Sequence, residues 1–256
     1  MSETNEEHIE EVNKPSTPKV AVLYHIFYED SVTHIVDELK GLGCFQTSFF
    51  FNICSDTPNQ HKIREALLMY FPGAFICTSS NKGKDIGGKL LLIKVCLQLQ
   101  YKPDWIIFLH DKKSLQALNA KTWKNDLLKI IQEDQLQKIN EIISNNSKLG
   151  IIAAKNYVRK ETKEDGKFTG NNGPILDELI QKYNITSKNH EYVAGTMFWA
   201  KASVLIDFFK KFDPLKIRQT LEEGNVIDNF NGTNTHAWER ILSWIITNGG
   251  LNFKTI

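Results

Sequence analysis

Apolar and polar positions switch between two periods along the first part of the chain. Val20–Ile26 is an almost unbroken apolar run, as expected of a strand covered on both faces. From Asp30 to Leu42 the apolar residues Val32, Ile35, Val36, Leu39 and Leu42 recur at helical spacing, with Gly43 as the stop. Thr47–Ile53 predicts a second strand. Pro58–Phe71 predicts a second helix with Pro58 in its first turn, and Ala74–Thr78 a short third strand running into Asn81. Gly87–Leu99 reads as a helix and Asp104–Leu109 as a strongly apolar fourth strand ending at His110. Further on, the pattern predicts helices over Thr122–Gln132 and Gln135–Ile143, a fifth strand over Leu149–Ala154 and a polar loop over Arg159–Gly173. A helix over Pro174–Tyr183, a sixth strand over Glu191–Ala200 and a last helix over Thr235–Thr247 complete the series.

Alternating strands and helices imply an α/β fold, with a mostly parallel central sheet flanked by helices. Right-handed crossovers gather the strand C-termini on one edge. There the tails of strands one, three and four bring His25, the Asn81 loop and His110 toward one crevice. At 256 residues the chain suits one well-buried domain. We expect it over residues 18–256, behind a disordered acidic tail over 1–17.

Composition narrows the partners. A net charge of +1 gives no bulk attraction for nucleic acid or an acidic membrane. No apolar run is long enough to span a bilayer, which leaves peripheral membrane contact open. The acidic start does not resemble a signal peptide. Cys44, Cys54, Cys77 and Cys96 lie singly in apolar stretches without a CxxC pair. They are expected to be reduced core thiols of a cytoplasmic protein.

Four strings carry the candidate chemistry. In Asn81-Lys82-Gly83-Lys84-Asp85-Ile86-Gly87-Gly88, Gly83 permits positive φ and close backbone approach. The helix starting near Gly87 would offer free N–H groups to an anion, and Asp85 would accept from a sugar hydroxyl. The plain alternative is a strand-to-helix loop with Asp85 as N-cap. In His110-Asp111-Lys112-Lys113-Ser114, Asp111 is a candidate ligand of a divalent cation, and Lys112 and Lys113 are candidates to neutralise a diphosphate directly. A solvated turn with an Asp–Lys pair is the alternative. In Asn231 to Arg240, Thr235 is a plausible N-cap. His236, Glu239 and Arg240 then share a helix face, as a general base and its holders or as a plain ion pair beside a histidine. In Gly195-Thr196-Met197-Phe198-Trp199, an aromatic strand either packs the core or stacks on a sugar. Glycines, acids, a histidine and lysines at strand ends suit a sugar diphosphate.

These four strings, in this order, resemble the rhamnan synthesis protein F family of glycosyltransferases. Its segments Asn-x-Gly-x-Asp-Ile, His-Thr-Lys-Lys-Ser, Gly-Thr-Met-Phe-Trp and Asp-Gly-Thr…His-Ala…Glu-Arg are matched from about Lys19 to Phe253. The resemblance implies a type-A glycosyltransferase-like fold, with a Rossmann-like nucleotide-binding half and an acceptor half. It also implies transfer of a sugar, often rhamnose, from a nucleotide diphosphate donor to a glycan or lipid-linked glycan. By position, Asn81, Gly83, Asp85, His110, Lys112 and Lys113 would face the donor, Gly195, Thr196 and Trp199 the sugar and acceptor, and Glu239, His236 and Arg240 would complete the catalytic site. Asp111 stands where the family has Thr, which makes an Mg²⁺ or Mn²⁺ site with His236 more plausible here. Asn231 stands where Asp is usual. The chain ends soon after the last motif, where many members continue, so acceptor recognition is expected to differ. Glu239 is the first candidate for general base, with Glu222 or Glu223 in reserve. A non-catalytic carbohydrate- or nucleotide-binding module is the competing expectation. A nucleotidyl-type enzyme is disfavoured, because no Gly-rich phosphate loop follows the first strand.

Overall fold

The computed structural model describes residues 17–111, 125–188, 190–227 and 231–256. The expected tail (1–16), Lys112, Lys113 and the first part of the helix expected over Thr122–Gln132 lie outside the described residues. Of that last helix, 125–127 are helical and Leu128–Ile131 form a 3-10 turn.

The strands are β1 (Lys19–Ile26), β2 (Gln46–Cys54), β3 (Phe75–Ser79), β4 (Trp105–His110), β5 (Leu149–Ala153), β6 (Val158–Lys160), β7 (Glu191–Val193), β8 (Phe198–Lys201) and β9 (Asn252–Thr255). Seven of them form one mostly parallel sheet in the order β3-β2-β1-β4-β8-β5-β9, and β6 pairs with β7 in a separate ribbon. β3, β2, β1 and β4 run parallel. β8 is antiparallel to both its neighbours. The helices are α1 (Val32–Leu39), α2 (Gln60–Tyr70), α3 (Lys84–Gln98), α4 (Glu133–Asn145), α5 (Gly173–Tyr183), α6 (Ala202–Lys211), α7 (Pro214–Gln219) and α8 (Asn234–Asn248). Among the described residues no helix is long and apolar enough to cross a membrane.

The topology places a crevice. From β1 the chain builds outward through β2 and β3, then returns to the other side of β1 as β4. The C-terminal ends of β1 and β4 therefore flank the point where the strand order reverses, the usual ligand site of an open α/β sheet. His25 ends up in register with His110 on one side and Asn52 on the other, and Asn52 with Cys77. Register partners share a face of the sheet, so one polar row crosses four otherwise apolar strands. α3 lies over that row. A methyl group at Gly88 would stand 2.2 Å from His25 Nδ1 and 2.9 Å from Asn52 Nδ2, so glycine is what lets the helix come this close.

Several expected boundaries move. α3 begins at Lys84, capped by Gly83 at φ 72°, so Asp85 sits in the first turn and is not the N-cap. A carboxylate there is favoured by the helix dipole. Pro58 precedes α2, whose N-cap is Asn59. The N-cap of α8 is Thr233, whose hydroxyl accepts from the His236 N–H, and not Thr235. The single strand expected over Glu191–Ala200 is two, β7 and β8. Gly195 at φ 83° and Thr196 at φ 51° are both left-handed and turn the chain between the two sheets. Among the cysteines, all free, Cys44 is exposed and not a core thiol.

Candidate active site

Five parts of the chain meet at the crevice. The end of β1 brings His25, Phe27 and Tyr28. The β3–α3 loop brings Asn81, Lys84 and Asp85. The end of β4 brings His110 and Asp111. The β7–β8 turn and α8 close the other side with Gly195, Thr196, Thr235, His236 and Glu239. Together they line a cleft of about 260 Å³.

Its floor is a buried cation. Lys89, fully buried on α3, donates to Asp85 Oδ2 (2.8 Å), Thr196 Oγ1 (2.5 Å) and the Thr196 carbonyl (2.9 Å), and His110 Nδ1 lies 3.2 Å from it. The Thr196 hydroxyl in turn donates to Asp85 Oδ2 at 2.6 Å. Burial pushes the Asp85 carboxyl up, but the Lys89 ammonium, His110 and the hydrogen bonds from Lys89 and Thr196 outweigh it and hold the pKa well below the usual carboxylate range. Burial pulls Lys89 down, with Asp85 and Glu239 pulling it back up. The pair is an ammonium facing a carboxylate that keeps 23 % of its side chain open.

His25 sits beside this pair. Asn52 Nδ2 donates to its Nδ1 at 2.8 Å, an amide orientation supported by Cys77 Sγ donating to Asn52 Oδ1 at 3.5 Å. Nε2 then carries the proton and has no partner among the described residues. Burial first of all, with Lys89 and Arg218 adding to it against the pull of Asp85, lowers the His25 pKa to about 4. Asn81 Oδ1 is likewise buried and without a partner. Buried polar atoms are rarely left unpaired, and both residues line the cleft.

Across the cleft, Glu239 Oε1 accepts from the Gly195 N–H (2.7 Å) and Oε2 from Arg240 Nη1 (2.6 Å). Arg240 also donates from Nε to the buried Glu161 (3.1 Å) and lies over the Tyr192 ring at 4.4 Å. His236 Nδ1 lies 2.6 Å from the Thr233 hydroxyl.

Of the residues singled out in the sequence, Asn81, Asp85, His110, Asp111, Gly195, Thr196, His236 and Glu239 line the cleft. Three do not. Gly83 caps α3 against Leu221. Arg240 stands behind Glu239. Trp199, expected in the sugar pocket, is fully buried in β8 and donates to the Ile130 carbonyl at 2.8 Å, because the strand carries it into the core past the turn. The reserve bases are occupied elsewhere. Glu222 accepts from the Asn234 and Thr235 N–H groups and the Thr235 hydroxyl at the start of α8, and Glu223 pairs with Lys82 at 3.1 Å on the surface. Lys89 was not singled out in the sequence, although a lysine inside an apolar stretch and four residues after Asp85 is a usable signal.

Asp111 is turned toward β1. Its Oδ1 accepts from the Phe27 N–H (2.8 Å) and its Oδ2 from the Tyr28 N–H (2.7 Å), which ties the two strand ends together across the crevice. Among the described residues no group of three or more His, Cys, Asp or Glu is arranged to hold a metal ion. Asp111 and His236, the candidate ligands, both line the cleft.

Residues 1–251 match the family model described as rhamnan synthesis protein F. The chain belongs to that family. The family is one of rhamnan synthesis, hence of polysaccharide biosynthesis, and the seven-stranded sheet with its flanking helices is consistent with a glycosyltransferase-like fold. No curated protein matches the chain.

Proposed function

We propose that the chain transfers a sugar, rhamnose or a close relative, from a nucleotide diphosphate sugar to a glycan or lipid-linked glycan. The observation that carries this reading is the pair of cleft carboxylates, Asp85 and Glu239, on opposite sides of one turn at the switch point of the sheet, beside two buried polar atoms without a partner among the described residues. His25 Nε2–H offers a donor and Asn81 Oδ1 an acceptor to a bound ligand. Asp85, kept ionised, accepts from sugar hydroxyls. Glu239 takes the proton of the acceptor hydroxyl as its oxygen bonds to the sugar's anomeric carbon. The bond from that carbon to the diphosphate breaks, and the nucleoside diphosphate leaves with the electron pair. Lys112 and Lys113 would neutralise it. No step runs through a metal ion.

One observation favours the binding-module reading. Both oxygens of Glu239 already accept hydrogen bonds within the protein, as a purely structural carboxylate's would.

Thermal unfolding against a panel of nucleotide diphosphate sugars, each with EDTA, Mg²⁺ or Mn²⁺, tests the ligand. At 100 times its Kd, a donor adds about 2.7 kcal/mol. A shift that survives EDTA supports a donor site that works without a bound cation. A shift confined to Mg²⁺ or Mn²⁺ would assign the diphosphate to a cation held partly by residues outside those described. No shift with any donor counts against a donor site.

A further inference from the structure

Lys89 is the one fully buried lysine among the described residues, and its partners Asp85, His110 and Thr196 all line the cleft. An ammonium has three protons, and the Asp85 carboxylate, the Thr196 carbonyl and the Thr196 hydroxyl account for all three. Thr196 is held in a left-handed conformation that a β-branched residue adopts only under constraint. Two of the four Lys89 contacts go to that residue, one to its carbonyl and one to its hydroxyl. The preceding residue, Gly195, presents its N–H to Glu239. A continuous line of contacts therefore runs from Asp85 through Lys89 and Thr196 to Gly195 and Glu239, joining the two walls of the cleft.

We propose that Lys89 is a positioning residue: its buried ammonium clamps the Gly195–Thr196 turn to Asp85 and so fixes both cleft carboxylates against the sugar of the donor. It touches no ligand itself. The proposal rests on the sugar-transfer reading and adds to it a residue that acts through others. A lysine that merely filled the core would affect stability but not how the protein distinguishes a sugar nucleotide from the same nucleotide without its sugar.

The groups facing Asp85 and Lys89 are His110 of β4, with Nδ1 3.6 Å from Asp85 Oδ2, His25 of β1 and Glu239 of α8. All three stay in place in the variants below. Lys89 is the foremost of the groups that lower the Asp85 pKa against burial, so its removal shifts that carboxyl upward.

The test is calorimetric binding of a nucleotide diphosphate sugar and of the matching nucleoside diphosphate, across pH, to the wild-type chain, Lys89→Met and Thr196→Val. Thr196→Val keeps the ion pair and removes only the hydroxyl, so it serves if Lys89→Met does not fold. In the wild type the sugar should add affinity that is steady from neutral pH into the mildly acidic range. Either variant should lose about tenfold or more of that sugar-dependent affinity while nucleoside diphosphate binding stays unchanged. In Lys89→Met the pH midpoint of the sugar-dependent affinity should also move upward. Undiminished sugar-dependent affinity in Thr196→Val, or an unmoved midpoint in folded Lys89→Met, would overturn the role of Lys89 alone. A wild-type chain that binds neither ligand would overturn the sugar-transfer reading and the role with it.

Discussion

The two carboxylates of the cleft are held in different ways. Asp85 has its cation on its own helix, one turn along, and that cation is sealed from solvent. Glu239 has its cation at the next residue, and Arg240 is itself anchored by Glu161 and covered by Tyr192. Asp85 is thus locked from beneath by a buried lysine of its own helix and by the Thr196 hydroxyl, whereas Glu239 is held by an ion-pair network that retains some solvent contact. In the proposed reaction, Asp85 is the acceptor of hydrogen bonds from the donor sugar and Glu239 the base for the incoming hydroxyl.

Removing the buried cation should disturb this contrast most. Lys89→Met leaves a partly buried carboxylate unpaired and should cost about 3–5 kcal/mol in chemical denaturation. The double variant Lys89→Met/Asp85→Asn should regain most of it, and failure to regain would mean that Lys89 contributes chiefly by packing. Next in size is an acid effect centred on His25. Its folded pKa, about 4, lies below the unfolded value, so only the unfolded chain gains a proton as pH drops from about 6.5. Stability is then fully present above that value and falls by about 3 kcal/mol on the way to pH 4. Denaturation curves of His25→Gln should lack this decline. Asp85, also depressed, loses its contribution only at still lower pH, as its own folded value is crossed. On the other wall, Glu239→Gln should lower turnover by about a hundredfold if the carboxylate takes a proton, with the far-UV circular dichroism unchanged. Equal turnover would remove it as the base. Smallest is Lys82→Ala, which breaks a pair whose Glu223 is 66 % exposed. It should change stability by less than about 1 kcal/mol, and a larger loss would mean that the loop from Asn81 depends on its rim rather than on its floor.

Much of the donor side was legible because local pattern dictates it. The apolar run Trp105–Leu109 had to be a central strand, and whatever followed it had to sit at the crevice, which placed His110 and Asp111. The meeting of His25 and His110 was legible from the strand ends, but Lys89 and Asn52 were not read, since cross-strand register decides which isolated polar residues share a face, and register is not local. Asp111 falls at the crevice as the pattern implies, and its bonds to the Phe27 and Tyr28 N–H groups were not legible, because they depend on how the ends of β1 and β4 meet. Trp199 was misplaced for the opposite reason. An apolar run from Tyr192 to Trp199 reads as one strand, and only the left-handed pair Gly195 and Thr196 shows that Trp199 belongs to another sheet.

Whether this cleft turns over a sugar nucleotide can be measured directly. Nucleoside diphosphate release and glycan elongation are followed together, with a rhamnose-class nucleotide diphosphate donor and a rhamnan fragment as acceptor. Release that depends on the acceptor and matches the sugar added to it, one for one, is the predicted result. Tight donor binding with neither release nor elongation would contradict sugar transfer and leave a binding module.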